Sequence, residues 1–462
     1  MSDHGLQLAR DKMAKDGVDP VAIDVFAHYY RLVESGESGM VPESTIEPLE
    51  MEALADVSVS EDTARQAIAT TVVIKLNGGL GTSMGMDHPK SLLEVRDGLS
   101  FLDVIVGQVL ALRKEYDAQL PLLFMNSFRT SSETLDELAR YPDLAVRDLP
   151  LDFLQNKEPK LRADDLTPVE WAEDPSLEWC PPGHGDIYTA LRGAGLLDRL
   201  IEAGFTQAFV SNSDNLGAVP DPRVAGWFAQ SGAPFAIEAV RRTPSDRKGG
   251  HFATRKTDGR IVLRETAQTL AEDQQALADL SRHRFTSTNN LWFNLVAMRE
   301  ELDRRDGILG LAMIKNRKHV DPADSTSPEV IQIETAMGAA IEVFDGATTI
   351  EVGRDRFVPV KTTNDLLVLR SDCYELSADF VLNLVADTVP FVDLDSSHYK
   401  FVGQFDQHFP EGVPSLKGAD SLTVKGDWVF GAGVTVTGNA MLSEPETGSS
   451  GHIPRGTRLG EG

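Results

Sequence analysis

The stretch Thr70–Ser91, "TTVVIKLNGGLGTSMGMDHPKS", decides how the rest of the chain is read. Its opening, Thr70–Leu76, is β-branched and apolar with no turn former, which predicts a buried strand. Gly78, Gly79, Gly81 and Gly85 then open a loop, and Lys90 follows Pro89 just beyond it. Two glycine signatures fail when their positions are counted. A GxGxxG fingerprint would need glycine where Met84 stands, and a GxxxxGK loop would need glycine directly before Lys90. What survives is common to both: a strand feeding a glycine turn whose bare N–H groups can face a phosphate. A tight turn of flexible glycines fits the same spacing.

Outward from this loop the pattern alternates. Pro121–Ser127, Gln207–Gly217 and Pro234–Val240 read as strands, the second running into the polar "SNSDN". "SSETLDELARY" reads as a helix capped by Ser131 or Ser132. Such alternation predicts an α/β fold with a mixed, mostly parallel sheet covered on both faces. Ligands of such sheets bind outside the carboxyl ends of the strands, where both the glycine loop and "SNSDN" fall. Residues 1–68 read as a polar helical segment, with a helix around Val21–Leu32, an extended connector over Val41–Glu52 and a helix capped by Ser60. Near the end, "LTVKGDWVFGAGVTVTGNAML" (Leu422–Leu442) places glycines between short β-branched pieces at near-hexapeptide intervals, and "HIPRGTRLGEG" repeats the style. That spacing suggests rungs of a small β-helix, a plain β-meander being the alternative. Ser443–Ser450 reads as a loop interrupting the repeat. The expected divisions are 1–68, a catalytic domain at 69–385 and a C-terminal domain at 386–462 with the short β-helix.

The chain has 462 residues, with 44 Lys plus Arg against 71 Asp plus Glu and a formal net charge of −27. That field repels nucleic acid and anionic membranes, so neither is an expected partner, and an anionic ligand needs a local cationic cluster. Two cysteines, Cys180 and Cys373, make neither a metal pair nor a disulfide framework. The N-terminus has no apolar leader core and no run is long enough to span a bilayer, so a cytoplasmic protein is expected.

Several polar groups suit phosphate and sugar chemistry. Lys90 is a point charge beyond the glycine loop, or a solvated surface lysine. "CPPGHGDIY" (Cys180–Tyr188) combines stiff prolines with Gly183 and Gly185 around His184, and Asp186 could serve only as a helix N-cap. Asp214 ends a strand, suited to Mg²⁺ or to an Asx turn. "TSTNNLWFNL" carries Asn289 and Asn290, whose amides suit sugar hydroxyls. Glu334 sits in "VIQIETAMGAAIEVF". Lys361, in "FVPVKTTNDLLVLRSD", precedes a helix capped by Thr363 or Asn364.

Taken in order, "KLNGGLGTSMG…PKS", "WCPPGHGDIYTAL", "FVSNSDNLGA", "STNNLWFNL", "VIQIETAMGAAIEVF" and "RFVPVKTTNDLLVLRSD" resemble the eukaryotic-type UTP–glucose-1-phosphate uridylyltransferases, or UDP-glucose pyrophosphorylases. The motifs run from Lys75 to Asp372, with weaker likeness on both sides. The resemblance implies a nucleotide-diphospho-sugar transferase-like α/β domain followed by a left-handed β-helix. It implies a reversible, Mg²⁺-dependent reaction of UTP with a sugar 1-phosphate. It places Leu76, Asn77, Gly78 and Gly79 on the nucleotide and Lys90 on the phosphates. Gln155, in "DFLQNKEPKL" where the family has "FNQSRYPR", would read uracil. Gly183 would touch the nucleotide and His184 the sugar phosphate. Asn212 and Ser213 would line the ribose, with Asp214 on the metal. Asn289, Asn290 and Glu334 would meet the sugar, and Lys361 the phosphates from the opposite wall. A homo-oligomer through the C-terminal domain, a pyrophosphorylase for another sugar 1-phosphate, and a silent nucleotide sensor on the same fold all remain open at this point.

Overall fold

The computed structural model describes residues 2–37, 39–247, 249–445 and 450–460. The strand expected at Thr70–Leu76 lies at the heart of an eight-stranded sheet. In chain order its strands are β1 (Glu52–Ala53), β2 (Thr71–Asn77), β3 (Leu122–Asn126), β4 (Asp152–Leu154), β5 (Gln207–Asn212), β6 (Phe235–Arg241), β7 (Phe285–Asn294) and β8 (Thr348–Glu351). Across the sheet the order is β1-β8-β6-β7-β5-β2-β3-β4. Only β7 runs against its neighbours, pairing antiparallel with both β5 and β6. Side chains alternate between two apolar layers: Val73 and Phe209 face one, Val72, Ile74, Ala208 and Val210 the other. Strands buried on both faces read as unbroken apolar runs, which is why β2, β3, β5 and β6 were legible.

The N-terminal segment is helical at Ser2–Lys15, Pro20–Glu34 and Glu61–Ala69, and Ser60 caps the last through its hydroxyl and the Thr63 N–H. The connector between them is more than extended chain. Ile46–Pro48 pairs with Ala253–Arg255, and β1 forms the sheet edge beside Ile350 and Glu351. Two helix caps differ from expectation. The helix at Ser131–Leu138 starts after Thr130, whose hydroxyl accepts from the Ser127 N–H rather than capping, and the helix at Thr363–Arg370 is capped by a Thr362–Asp365 box.

In the C-terminal part, Phe391–Leu394, Ser415–Val424, Thr435–Leu442 and Arg458–Gly460 form one ladder, parallel throughout. Trp428–Phe430 and Gly451–Ile453 form a second parallel pair. Leu422 lies beside Ala440 and Thr435 beside Arg458, so each pass of the chain returns to stack on the one before. Hairpins of a meander would pair antiparallel, and that reading is excluded. Residues 446–449, within the expected interrupting loop, and 461–462, at the end of "HIPRGTRLGEG", lie outside the described residues. The inward side chains Leu422, Val424, Phe430, Val434 and Val436 belong to the same apolar cluster as Val73 and Phe101, so this part shares its core with one face of the sheet. Among the described residues no helix is long and apolar enough to cross a membrane.

Candidate active site

β2 and β5 are adjacent and parallel, with Leu76 beside Asn212. Their carboxyl ends therefore release the glycine loop and the "SNSDN" loop side by side, and the Ser213 N–H donates to the Leu76 carbonyl at 3.1 Å. The loop folds back on itself, with the Lys90 N–H on the Gly79 carbonyl at 3.1 Å. Gly81 and Gly85 take φ of 66° and 74° on either side of a single turn, a region that side chains with a Cβ rarely adopt. A Cβ on Gly78 would lie 2.7 Å from Oε1 of Gln155, so that glutamine packs directly against the loop backbone.

Asp214 is the meeting point. Lys90 donates to its Oδ2 at 2.8 Å and Lys361 to the same oxygen at 3.3 Å. Lys90 also donates to the Val360 carbonyl, next to Lys361 in the chain. Lys90 and Asp214 are nearly buried, at 15% and 12% side-chain exposure, whereas Lys361 is 58% exposed. Oδ1 of Asp214 is buried and has no partner among the described residues. A carboxylate oxygen without a donor is costly to bury, and its chemistry fits a cation or a hydrogen-bond donor.

The "PPGHGD" turn docks on the strand Glu329–Thr335. The Thr335 N–H bonds the Pro182 carbonyl at 2.9 Å, and a Cβ on Gly183, at φ +80°, would fall 2.5 Å from the Thr335 oxygen. Glycine is required here by both conformation and space. His184 Nδ1 accepts from the Met337 N–H at 2.9 Å, which leaves Nε2 to carry the proton. Burial, and then the Lys361 charge, lower the His184 pKa to about 4, so the ring is neutral at pH 7. Asp186 stands at a helix start but caps nothing. It accepts from the Asn156 backbone and amide at 2.6 and 2.9 Å, and burial raises its pKa to about 7. It thereby ties the chain just past Gln155 to the His184 turn.

The side chains of three expected site residues, Asn77, Ser213 and Asn290, are engaged within the protein. The Asn77 amide is committed inside, donating to Asn126 at 2.8 Å and Thr134 at 3.0 Å and accepting from the buried Ser213 hydroxyl at 3.1 Å. Asn77 and Ser213 are buried, with their side chains turned to these internal partners. Asn290 is fully buried. It donates to Glu238 at 3.0 Å and takes a 3.5 Å contact from Asn215, so its amide is not free for a sugar. Asn289, in left-handed backbone at φ 57° where β7 bulges against β6, remains half-buried beside the end of β5. Asn212 is half-buried, and Glu334 lies beside Gly183 with Lys318 4.0 Å from its carboxylate.

Sequence reading missed the groups beneath this surface. Lys75, buried in β2, donates to the Ser211 hydroxyl and the Ala218 carbonyl, both at 2.8 Å, and burial brings its pKa down to about 7. Glu238 in β6 and Arg356 form a bidentate pair with both bonds at 2.7 Å. A charge inside an otherwise apolar strand demands a buried partner, and that signal stood in "VVIKL" and "FAIEAV".

Paired strand ends, a glycine loop and two lysines on one carboxylate define an α/β protein with a polar, lysine-bearing site at the carboxyl edge of its sheet. The family model described as "UTP–glucose-1-phosphate uridylyltransferase" matches residues 23–437, and the chain belongs to that family. It is 38% identical to the potato (Solanum tuberosum) UTP–glucose-1-phosphate uridylyltransferase over 86% of this chain and 82% of that protein. With the Hordeum vulgare enzyme the identity is 35% over 99% and 96%. A Leishmania major UDP-glucose pyrophosphorylase mutant in complex with UDP-glucose superposes with a TM-score of 0.92 at 43% identity, covering 99% of this chain and 98% of that one.

Proposed function

We propose that this protein transfers uridylyl from UTP to glucose 1-phosphate, giving UDP-glucose and pyrophosphate, in a reversible Mg²⁺-dependent reaction. The observation that carries the reading is the convergence of Lys90 and Lys361, from distant parts of the chain, on Asp214. A phosphate monoester is largely ionised at neutral pH, so the attacking oxygen needs no general base. The obstacle is repulsion between two polyanions. Lys90, Lys361 and the loop N–H groups offset it and hold the sugar phosphate in line with the α-phosphorus. Asp214, through its unpartnered Oδ1, would hold the Mg²⁺, which would supply further charge for the phosphates. His184, proton on Nε2 and fixed by Met337, donates to a phosphate or sugar oxygen. Gln155 beside Gly78 reads the uracil. Asn212 faces the ribose, and Asn289 and Glu334 face the sugar.

In the same reading the chain divides at 1–68, 69–385 and 386–462, the stacked C-terminal passes form a left-handed β-helix, and copies assemble through that part. Two buried free thiols support a reducing, cytoplasmic setting. The test is pyrophosphate release from UTP with a panel of sugar 1-phosphates. Preference for glucose 1-phosphate is the expected result. Preference for an N-acetylhexosamine phosphate would replace the substrate, and no release with any sugar would end the enzymatic reading.

A further inference from the structure

We propose that the buried pair Glu238–Arg356, acting with Asn215, is a positioning device that holds Lys361 against Asp214 and so governs turnover more than substrate affinity. The inference rests on the assignment of Lys361 to the phosphates made above.

Lys361 is the more exposed of the two lysines, and among the described residues its ammonium bonds one side chain, Asp214. Its place is therefore set by its backbone. The Lys361 N–H donates to Asp365 Oδ2 at 2.8 Å, and the backbone just before it is stitched to the "SNSDN" loop at alternate residues. The Arg356 carbonyl accepts from Asn215 Nδ2 at 3.1 Å, and the Val358 N–H donates to Asn215 Oδ1 at 2.9 Å. The Val360 N–H donates to the Asp214 carbonyl at 3.0 Å. One amide side chain thus holds both ends of a short segment that leads straight into Lys361.

The segment is anchored from below by Arg356. Its Nε and Nη2 both meet the Glu238 carboxylate, which also accepts from Trp292 Nε1 at 2.9 Å and Asn290 Nδ2 at 3.0 Å. Glu238 is fully buried and Arg356 nearly so. Every acceptor position of the carboxylate is engaged, which fixes the guanidinium plane. Burying such a pair gains little stability, and apolar residues of similar volume commonly do as well or better. What they cannot supply is a fixed fork in one orientation. Orientation is what the cleft needs, because a shift of about 1 Å in a group facing reacting phosphates costs on the order of a hundredfold in rate.

The experiment is a double-mutant cycle on the full chain, pairing Arg356→Lys with Lys361→Met and reading kcat, KM for UTP and melting temperature. Arg356→Lys keeps the charge and loses the fork. It should lower kcat by roughly ten- to a hundredfold, with a clearly smaller change in KM. In the Lys361→Met background it should lower kcat by no more than about twofold, because the group it places is gone. Full multiplication of the two effects overturns the inference, as does a rise in KM with kcat unchanged. A Lys361→Met variant as fast as the wild type fails the assignment of Lys361 itself, which is a different result from multiplication. Should Arg356→Lys melt before assay, Asn215→Ala enters the same cycle: coupling to Lys361→Met supports the device, and independence overturns it.

Discussion

Replacing Lys361 with Met removes the cation and keeps much of the stem. In the free protein the charge sits 3.3 Å from Asp214; the lysine's side of the pair is solvated at 58% exposure, and the nearly buried Asp214 keeps Lys90 on the same oxygen when Lys361 is lost. Exposed pairs are worth about 0–1 kcal/mol, and the melting temperature should move by only a few degrees. The situation differs once two polyanions fill the cleft. A unit charge about 4 Å from a phosphate oxygen at an effective dielectric near 20 contributes about 4 kcal/mol. Part of that is already present on binding UTP. The remainder appears as the sugar phosphate closes on the α-phosphorus, and only that remainder accelerates the reaction. If two-thirds is differential, the barrier rises by about 2.7 kcal/mol and kcat falls about a hundredfold. Steady-state pyrophosphate release against UTP and glucose 1-phosphate, beside a thermal melt, measures both quantities. A variant with unchanged kcat and a raised KM for UTP would show uniform binding, and one that unfolds would show a structural lysine. Either refutes the reasoning.

Asp214→Asn should lower the melting temperature, because the nearly buried Lys90 loses its counter-charge, while lowering turnover by orders of magnitude and raising the Mg²⁺ needed for half activity; normal turnover at low Mg²⁺ would reduce Asp214 to a turn residue. Gly183→Ala forces a Cβ to within 2.5 Å of the Thr335 oxygen at φ +80°, so activity should fall more than tenfold, with a loss of about 1–3 kcal/mol in urea unfolding; a silent substitution would mean the turn yields freely. His184 has a folded-state pKa of about 4 against an ordinary 6.5, so the unfolded chain binds the extra proton between those values and stability rises with pH across that window. His184→Gln should flatten this rise, read as urea midpoints at pH 5 and pH 7, and an unchanged slope would place the titration elsewhere.

Local chemistry determined the elements. β2 and β5 are apolar on both faces because each meets a packed layer on either side, and that is visible in a run of residues as short as "TTVVI". Glycine marked the two turns, but only the folded chain decided that Gly81, Gly85 and Gly183, and not Gly78, Gly79 or Gly185, take positive φ. Proline, glycine and the placement of strand ends sufficed to pick out the two loops that carry the site. Tertiary structure decided what those elements meet. Ile46–Pro48 became a strand only because Ala253–Arg255 offered it an edge, and Thr362 displaced its neighbours as a cap because Asp365 completes the box. Asn77 and Asn290 look like free amides in sequence, yet Asn126, Thr134 and Glu238 claim them, since a buried amide left without a partner carries its full desolvation cost. The convergence of Lys90 and Lys361 on one oxygen of Asp214 is the most consequential of these decisions. Charges interact through space at ångström range, and no spacing along the chain encodes a distance that exists only after the sheet, the loops and the Arg356 anchor have closed together.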